Sequence, residues 1–359
     1  MPSPKTKKHN ILREILSEQQ RNNLPFVIYR KPRASHVIAL LQSDTVLETG
    51  MDLGRPGFLM VPFHKEDAKP VFLRGDQFYQ SPYKGPRLDL TPAFPAKDEV
   101  AREIHLDLVG KSVAALREGT LQKVVVSRRF SVPAPSDQLG TFYEMIRWYP
   151  DAFGYFWHHP EVGTWMGATP ELFLRYHSGV AETIALAGTR PADPGEALPR
   201  WSSKETNEQQ LVTGYILDRM RQLGLKPQQG ATRDIRAGKL WHLGTSIRTF
   251  IDRETAPKLL SALHPTPAVC GLPREAAYEF IRKQENYNRE YYTGFLGEVG
   301  LEEKDSFEFF VNLRCVQFRN GMAYLYVGGG ITPDSDPQAE WEETREKSTT
   351  MLSLIKNSF

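Results

Sequence analysis

Residues 154–188 read GYFWHHPEVGTWMGATPELFLRYHSGVAETIALAG. Four short runs inside this stretch, 154–158, 164–168, 172–176 and 183–188, are rich in aromatic and β-branched residues and are separated by Gly, Pro and Ser. Strands crowded together with no helical pattern between them predict a sheet-dominated α+β architecture. Just upstream, the pattern predicts a helix over 141–148 and a strand over 123–130, entered from Gly119. Before that strand, Val100, Ile104, Leu108 and Val113 recur at helical spacing over 98–116. Nearer the amino terminus, Phe26 to Tyr29, Val37 to Leu41 and Phe58 to Val61 predict short strands in a meander. The proline-rich stretch 82–95 reads either as a linker or as a loop within a domain.

Downstream, Ser202 or Ser203 is placed to cap a helix running to Gly224, and Asp336-Pro337 opens the last helix with Asp as cap and Pro at the first helical position. A strand is expected over 309–318 and another over 323–327, the latter followed by Gly328-Gly329-Gly330. No internal repeat or low-complexity tract is present.

The chain of 359 residues carries 45 basic and 43 acidic residues, so its charge is nearly balanced and no nucleic-acid partner is indicated. No run approaches the roughly 18 apolar residues of a membrane span, and Met1 to Asn10 lacks the apolar core of a signal peptide. Two cysteines, Cys270 and Cys315, make no disulfide framework or zinc-type spacing. A soluble, cytoplasmic protein is the expectation.

Chemistry-bearing residues gather at element ends. Glu340, Glu343 and Lys347 fall on one face of the last helix, a face that Met351 and Leu354 continue into apolar territory. Glu205 and Glu208 repeat the i, i+3 spacing on the 203–224 helix. Each pair alone reads more readily as a solvated, dipole-favoured helix start. Together they meet the needs of Mg²⁺, which takes oxygen ligands from one or two carboxylates, water and substrate. Lys123 leads an apolar strand, where it is either an exposed gatekeeper or a base of altered pKa. Glu171 stands at the lip of another apolar strand, where a carboxyl kept protonated serves as a general acid. Arg314, set among apolar strand residues, needs a counter-anion, and the three glycines let a backbone approach one. Arg314 and the glycines point to a carboxylate-bearing substrate.

The ordered segments KVVVSR (123–128), GATPEL (167–172), LAGTR (186–190), LWHL (240–243), HPTPA (264–268), VNLRC (311–315) and EWEET (340–344) resemble those of the chorismate-utilising enzymes, most closely the isochorismate synthases. The resemblance runs from about Ala101 to the carboxyl end and leaves residues 1–97 as a divergent portion before a motif-bearing portion, 98–359. It implies one large α+β domain of the anthranilate-synthase type, two packed sheets with helices outside, and an active-site cleft. The proline-rich stretch is then no domain boundary.

By motif position the resemblance implies that Lys123 activates water for attack at C2 of chorismate and that Glu171 protonates the departing C4 hydroxyl. It makes Glu208 and Glu343 ligands of Mg²⁺, with Glu205 and Glu340 bridging through water. Arg314, Tyr292 and the backbone of Gly328 and Gly330 would hold the enolpyruvyl carboxylate, with His242 and Lys347 lining the same site. A lysine base requires a dry or cationic pocket, part of which Arg128 or Arg129 would supply. Lys123 argues against an aminating anthranilate synthase and its glutaminase subunit. Ala268, where salicylate and aminodeoxychorismate synthases more often carry Thr, favours an isochorismate synthase, whose product would feed menaquinone, siderophore or salicylate synthesis, with a salicylate synthase as the runner-up. A degenerate, non-catalytic relative would be expected to lose Lys123, Glu171 or a glutamate of the cation set first.

Overall fold

The computed structural model describes residues 4–83, 85, 91–191, 198–237 and 240–357, so the proline-rich stretch lies partly outside the described residues. The chain begins with β1 (Lys5–Thr6), α1 (His9–Arg21), β2 (Phe26–Arg30), β3 (His36–Leu41), β4 (Glu48–Thr49), β5 (Gly57–Val61), β6 (Val71–Arg74) and β7 (Gln77–Pro82). Next come α2 (Glu99–Arg117), β8 (Lys123–Pro133), α3 (Gln138–Trp148), β9 (Phe153–His159), β10 (Gly163–Thr169), β11 (Leu172–His177) and β12 (Val180–Pro191). After α4 (Ser203–Gln222) a hairpin of β13 (Gln228–Ala237) and β14 (Leu240–Phe250) leads to α5 (Ala256–Leu263), β15 (Gly271–Leu272) and α6 (Arg274–Gln284). Last are β16 (Phe295–Val299), β17 (Ser306–Val311), β18 (Cys315–Arg319), β19 (Met322–Ile331) and α7 (Pro337–Asn357).

Nineteen strands among the described residues form two sheets. One runs β1-β7-β3-β2-β9-β10-β18-β19-β8-β15, the other β13-β14-β12-β11-β17-β16-β5-β6-β4. Strand alternation shows how they pack. In β2, Val27 and Tyr29 join Trp157, Trp165, Leu172 and Phe310 in a layer built from both sheets, whereas Phe26 and Ile28 join Leu12, Phe142 and Leu352 from helices α1, α3 and α7. The nine-stranded sheet is covered in turn by α4 and α5, through Val212, Ile216, Leu259 and Leu263. Strands buried on both faces explain why their sequences read as unbroken apolar runs. No helix among the described residues is long and apolar enough to cross a membrane.

Most expected elements form, and the departures have physical reasons. The amino-terminal strands are no meander, because β2, β3 and β7 belong to one sheet and β5 and β6 to the other. The 98–116 helix forms as α2, capped by Asp98 accepting from the Ala101 N–H at 2.9 Å, but Val100 and Ile104 lie 69% and 52% exposed. Its packed face is His105, Leu108, Val109, Ser112 and Val113. The expected strand 309–318 is two strands in different sheets, and Arg314 lies in the turn between them at a φ of 48°. The three glycines form no turn; they continue β19 to Ile331.

The chain passes from one sheet to the other at Pro170-Glu171, between β10 and β11, and again at Asn312 to Arg314, between β17 and β18. The two crossings are bonded to each other. Val311 N–H donates to Glu171 O at 3.0 Å and Ala168 N–H to Arg314 O at 3.1 Å.

Candidate active site

Above these crossings opens a cleft of about 200 Å³. Glu171 and Arg314 enter it from the crossings, Tyr292 and Ala268 from loops, and His242 from β14. Gly328 and Gly330 come from β19, Glu205 and Glu208 from α4, and Glu343 and Lys347 from α7. The structure thus assembles eleven of the residues singled out in the sequence. The other two stand one layer behind: Lys123 is 1% exposed and reached through Glu208, and Glu340 is 3% exposed behind Gly329.

Glu171 is sealed at 9% exposure, and its carboxyl makes no hydrogen bond or ion pair among the described residues. Burial pushes its pKa up to about 7, against the pull of Lys123 and Arg314. Arg314 likewise meets no carboxylate among the described residues; burial pulls its pKa down, against Tyr149 and Glu171. A half-buried guanidinium aimed at a cleft in this state awaits an anion. His242 Nδ1 lies 3.1 Å from Gly188 O, so Nδ1 carries the proton of the neutral ring. Burial, then Arg314 and Lys347, hold its pKa down at about 3. Gly188 itself sits at a φ of 72° in a bulge of β12, where a Cβ would stand 3.1 Å from Glu205 Cβ.

The opposite wall is dense in charge. Lys123 Nζ lies 2.8 Å from Glu208 Oε1, and Lys347 Nζ lies 2.6 Å from Glu343 Oε1 and 3.1 Å from Gly328 O. Of the dry or cationic surroundings expected, Lys123 has the dry ones, at 1% exposure, with a carboxylate as its neighbour. Arg128 turns away to stack 4.3 Å over Trp341 and to bond Thr344 Oγ1, while Arg129 lies over Tyr287 and Tyr324. Glu205 folds back on its own helix start, accepting from Ser202 N–H at 2.8 Å and from the Ser202 hydroxyl. Glu340 Oε1 accepts from Ser335 Oγ at 2.7 Å.

Among the described residues no three acidic, imidazole or thiol groups converge as a ready ligand set, since the two lysines and the caps hold the four glutamates. A cradle is nonetheless present. A Cβ on Gly329 would stand 3.1 Å from Glu340 Oε2 and 3.8 Å from Glu343 Oε1, and one on Gly330 would stand 2.8 Å from Glu208 Oε1. Oxygen donors gathered around two side-chain-free positions suit a hard cation that completes its shell with water and substrate oxygens. On its other edge β19 pairs with β18 only as far as Leu325, which leaves the glycine backbone turned to the cleft. Tyr292, stacked 5.0 Å from Tyr326, holds its hydroxyl where a Cβ on Gly328 would be 3.1 Å away.

Sequence reading missed Leu186, Thr293, Leu313, Tyr326, Ser348 and Met351, which also line the cleft. Leu186 and Leu313 lie inside the quoted LAGTR and VNLRC motifs and Met351 continues the Glu340, Glu343, Lys347 face, whereas Thr293, Tyr326 and Ser348 carried no signal.

Residues 68–353 match the family of chorismate binding enzymes, a match that starts upstream of the motifs recognised in the sequence. The isochorismate synthase EntC of Escherichia coli strain K12 is 31% identical over 259 residues, which cover 69% of this chain and 66% of EntC. The chain thus spans just under two thirds of that relative. Two solved structures share the fold. DhbC of Bacillus anthracis superposes with a TM-score of 0.78 at 24% identity, over 96% of this chain and 99% of DhbC. MenF, the menaquinone-specific isochorismate synthase of Escherichia coli, does so with a TM-score of 0.77 at 22% identity, over 92% of this chain and 88% of MenF.

Proposed function

The chain belongs to the chorismate binding enzyme family, and from that premise we propose that it is an isochorismate synthase, converting chorismate to isochorismate without a glutaminase subunit. The observation that carries this reading is a cleft lined by Glu171, a buried carboxyl with a pKa of about 7 and no side-chain partner, and by Glu208, with Lys123 Nζ 2.8 Å behind Glu208. Exchanging a ring hydroxyl between carbons needs an acid at the departing oxygen and a base at the arriving water.

Lys123 takes a proton from the water whose oxygen bonds to C2. The electrons of the ring diene shift toward C4, and Glu171 gives its proton to the hydroxyl leaving there, so one water enters and one departs. Arg314, Tyr292 and the glycine backbone of β19 orient the enolpyruvyl carboxylate, and neutral His242 lines the same pocket without adding charge. Glu208 and Glu343 would hold Mg²⁺, with Glu205 and Glu340 bridging through water. When bound, the cation would neutralise the ring carboxylate. The product would enter menaquinone or siderophore synthesis in the cytoplasm.

The test is incubation with chorismate and Mg²⁺ in the absence of ammonium, with products resolved by NMR. Isochorismate reaching a stable ratio with chorismate is expected. Salicylate with pyruvate would make the chain a salicylate synthase, and product appearing only with ammonium would make it an aminating enzyme.

A further inference from the structure

Behind one wall of the cleft lies a buried ion pair that this chemistry does not use. Glu285, just past α6, and Arg289 are 8% and 2% exposed, joined by Nε to Oε2 at 2.9 Å and Nη2 to Oε1 at 2.5 Å. Their place is the unfinished edge of β8. On this side β15 pairs only with Lys123 and Val124, and Val125 N–H closes on Cys270 O at 2.8 Å. From there the strand meets side chains. Arg289 Nη2 donates to Val125 O at 2.8 Å, and Glu285 Oε1 accepts from Ser127 N–H at 2.7 Å and Ser127 Oγ at 2.9 Å. Alternate residues of a strand present N–H and C=O to the same edge. A donor followed by an acceptor two residues on is what a neighbouring strand would offer, so the ion pair continues the ladder where β15 stops.

Arg289 also donates through Nη1 to Val269 O at 3.0 Å and Thr293 Oγ1 at 3.3 Å, and its guanidinium lies 5.7 Å from the Tyr292 ring centroid. Val125, Val269, Tyr292 and Thr293 all line the cleft. We propose that Glu285 and Arg289 are positioning residues of the active site, fixing the strand that begins with Lys123 against the wall that carries Tyr292. The inference rests on the chorismate reading of the cleft. A buried ion pair is seldom more stabilising than apolar side chains of the same volume. What this pair supplies that they cannot is a directed donor and acceptor at a strand edge.

The two members predict different kinetics. Glu285 bonds the Lys123 strand and Arg289, so Glu285→Gln should lower kcat on the order of 10²-fold, the cost of a misplacement near 1 Å, with KM within about threefold of wild type. Arg289 bonds both the strand and the Tyr292 wall, so Arg289→Lys should lower kcat comparably and raise KM about tenfold as well. Both are measured well below their melting temperatures, with the folded fraction determined by circular dichroism. A purely structural pair would shift the melting temperature but leave kcat and KM per folded molecule unchanged, which overturns the proposal; so would failure of both variants to fold, which would make the pair a folding requirement. If wild type yields no isochorismate, the reading of the cleft fails instead, and the pair is then judged by calorimetric binding of chorismate, where equal affinity of Arg289→Lys and wild type would overturn it.

Discussion

Glu171 and Glu208 face one cleft from two sides, and the chain surrounds them in opposite ways. Glu171 sits where two sheets meet, with no side-chain partner, and burial raises its pKa to about 7. Glu208 sits in the first turns of α4 with Lys123 Nζ 2.8 Å away. A buried carboxyl without a partner keeps a proton to give; one facing a lysine nitrogen beside a cradle of oxygens serves as charge. The same side chain thus becomes an acid on one wall and a candidate metal ligand on the other, by environment alone.

The contrast breaks most completely at the charged wall. Chelation with EDTA should take turnover below detection and Mg²⁺ should restore it; unchanged rates after thorough chelation would leave the glutamate wall with no cation to hold. Next in size, Glu171→Gln and Lys123→Ala should each lower kcat about 10³-fold while the protein stays folded, within the usual range for general acids and bases. Near-wild-type rates in either would remove that residue from the chemistry.

Stability should separate those two variants. Glu171 has a folded pKa above its ordinary 4.5, so its contribution is fully present below that value and is lost as pH rises through about 7. Glu171→Gln should therefore melt higher than wild type at pH 8. Lys123→Ala removes the amine that Glu208 faces and should melt lower at the same pH. Equal shifts of one sign, read by thermal denaturation, would erase the distinction between the walls.

A pH profile gives a smaller effect. The acid must hold its proton, so kcat should fall as pH rises through about 7; a flat profile from pH 6 to 8 would exclude Glu171 as the acid. The smallest effect expected is steric. Gly330→Ala puts a methyl 2.8 Å from Glu208 Oε1 and 3.3 Å from Lys123 Cε and should lower kcat/KM about tenfold, whereas Gly329→Ala, 3.1 Å from Glu340 Oε2, should cost less. The reverse order, in steady-state kinetics, would place the sensitive carboxylate behind Gly329.

Legibility followed local chemistry. The strands from Phe153 to Gly188 and the cap at Asp336 were readable because apolar runs and capping residues act over a few positions. The break at Arg314 was not, since no Gly or Pro marks it: a non-glycine residue at a φ of 48° turns the chain out of one sheet into the other inside an apolar run. Val100 and Ile104 kept the helical period but lie on the open first turns of α2. The residues of the cleft were found by motif, while the lysine–glutamate pairs that connect them join elements far apart in sequence. Lys123 and Glu208 come from β8 and α4, and nothing in either segment announces the other.

The two bonded crossings set an order of assembly. Glu171 and Arg314 are about 140 residues apart and meet only when both sheets are complete, a contact that closes slowly because its loop entropy is lost before the packing compensates. During refolding, secondary structure should return first and turnover last.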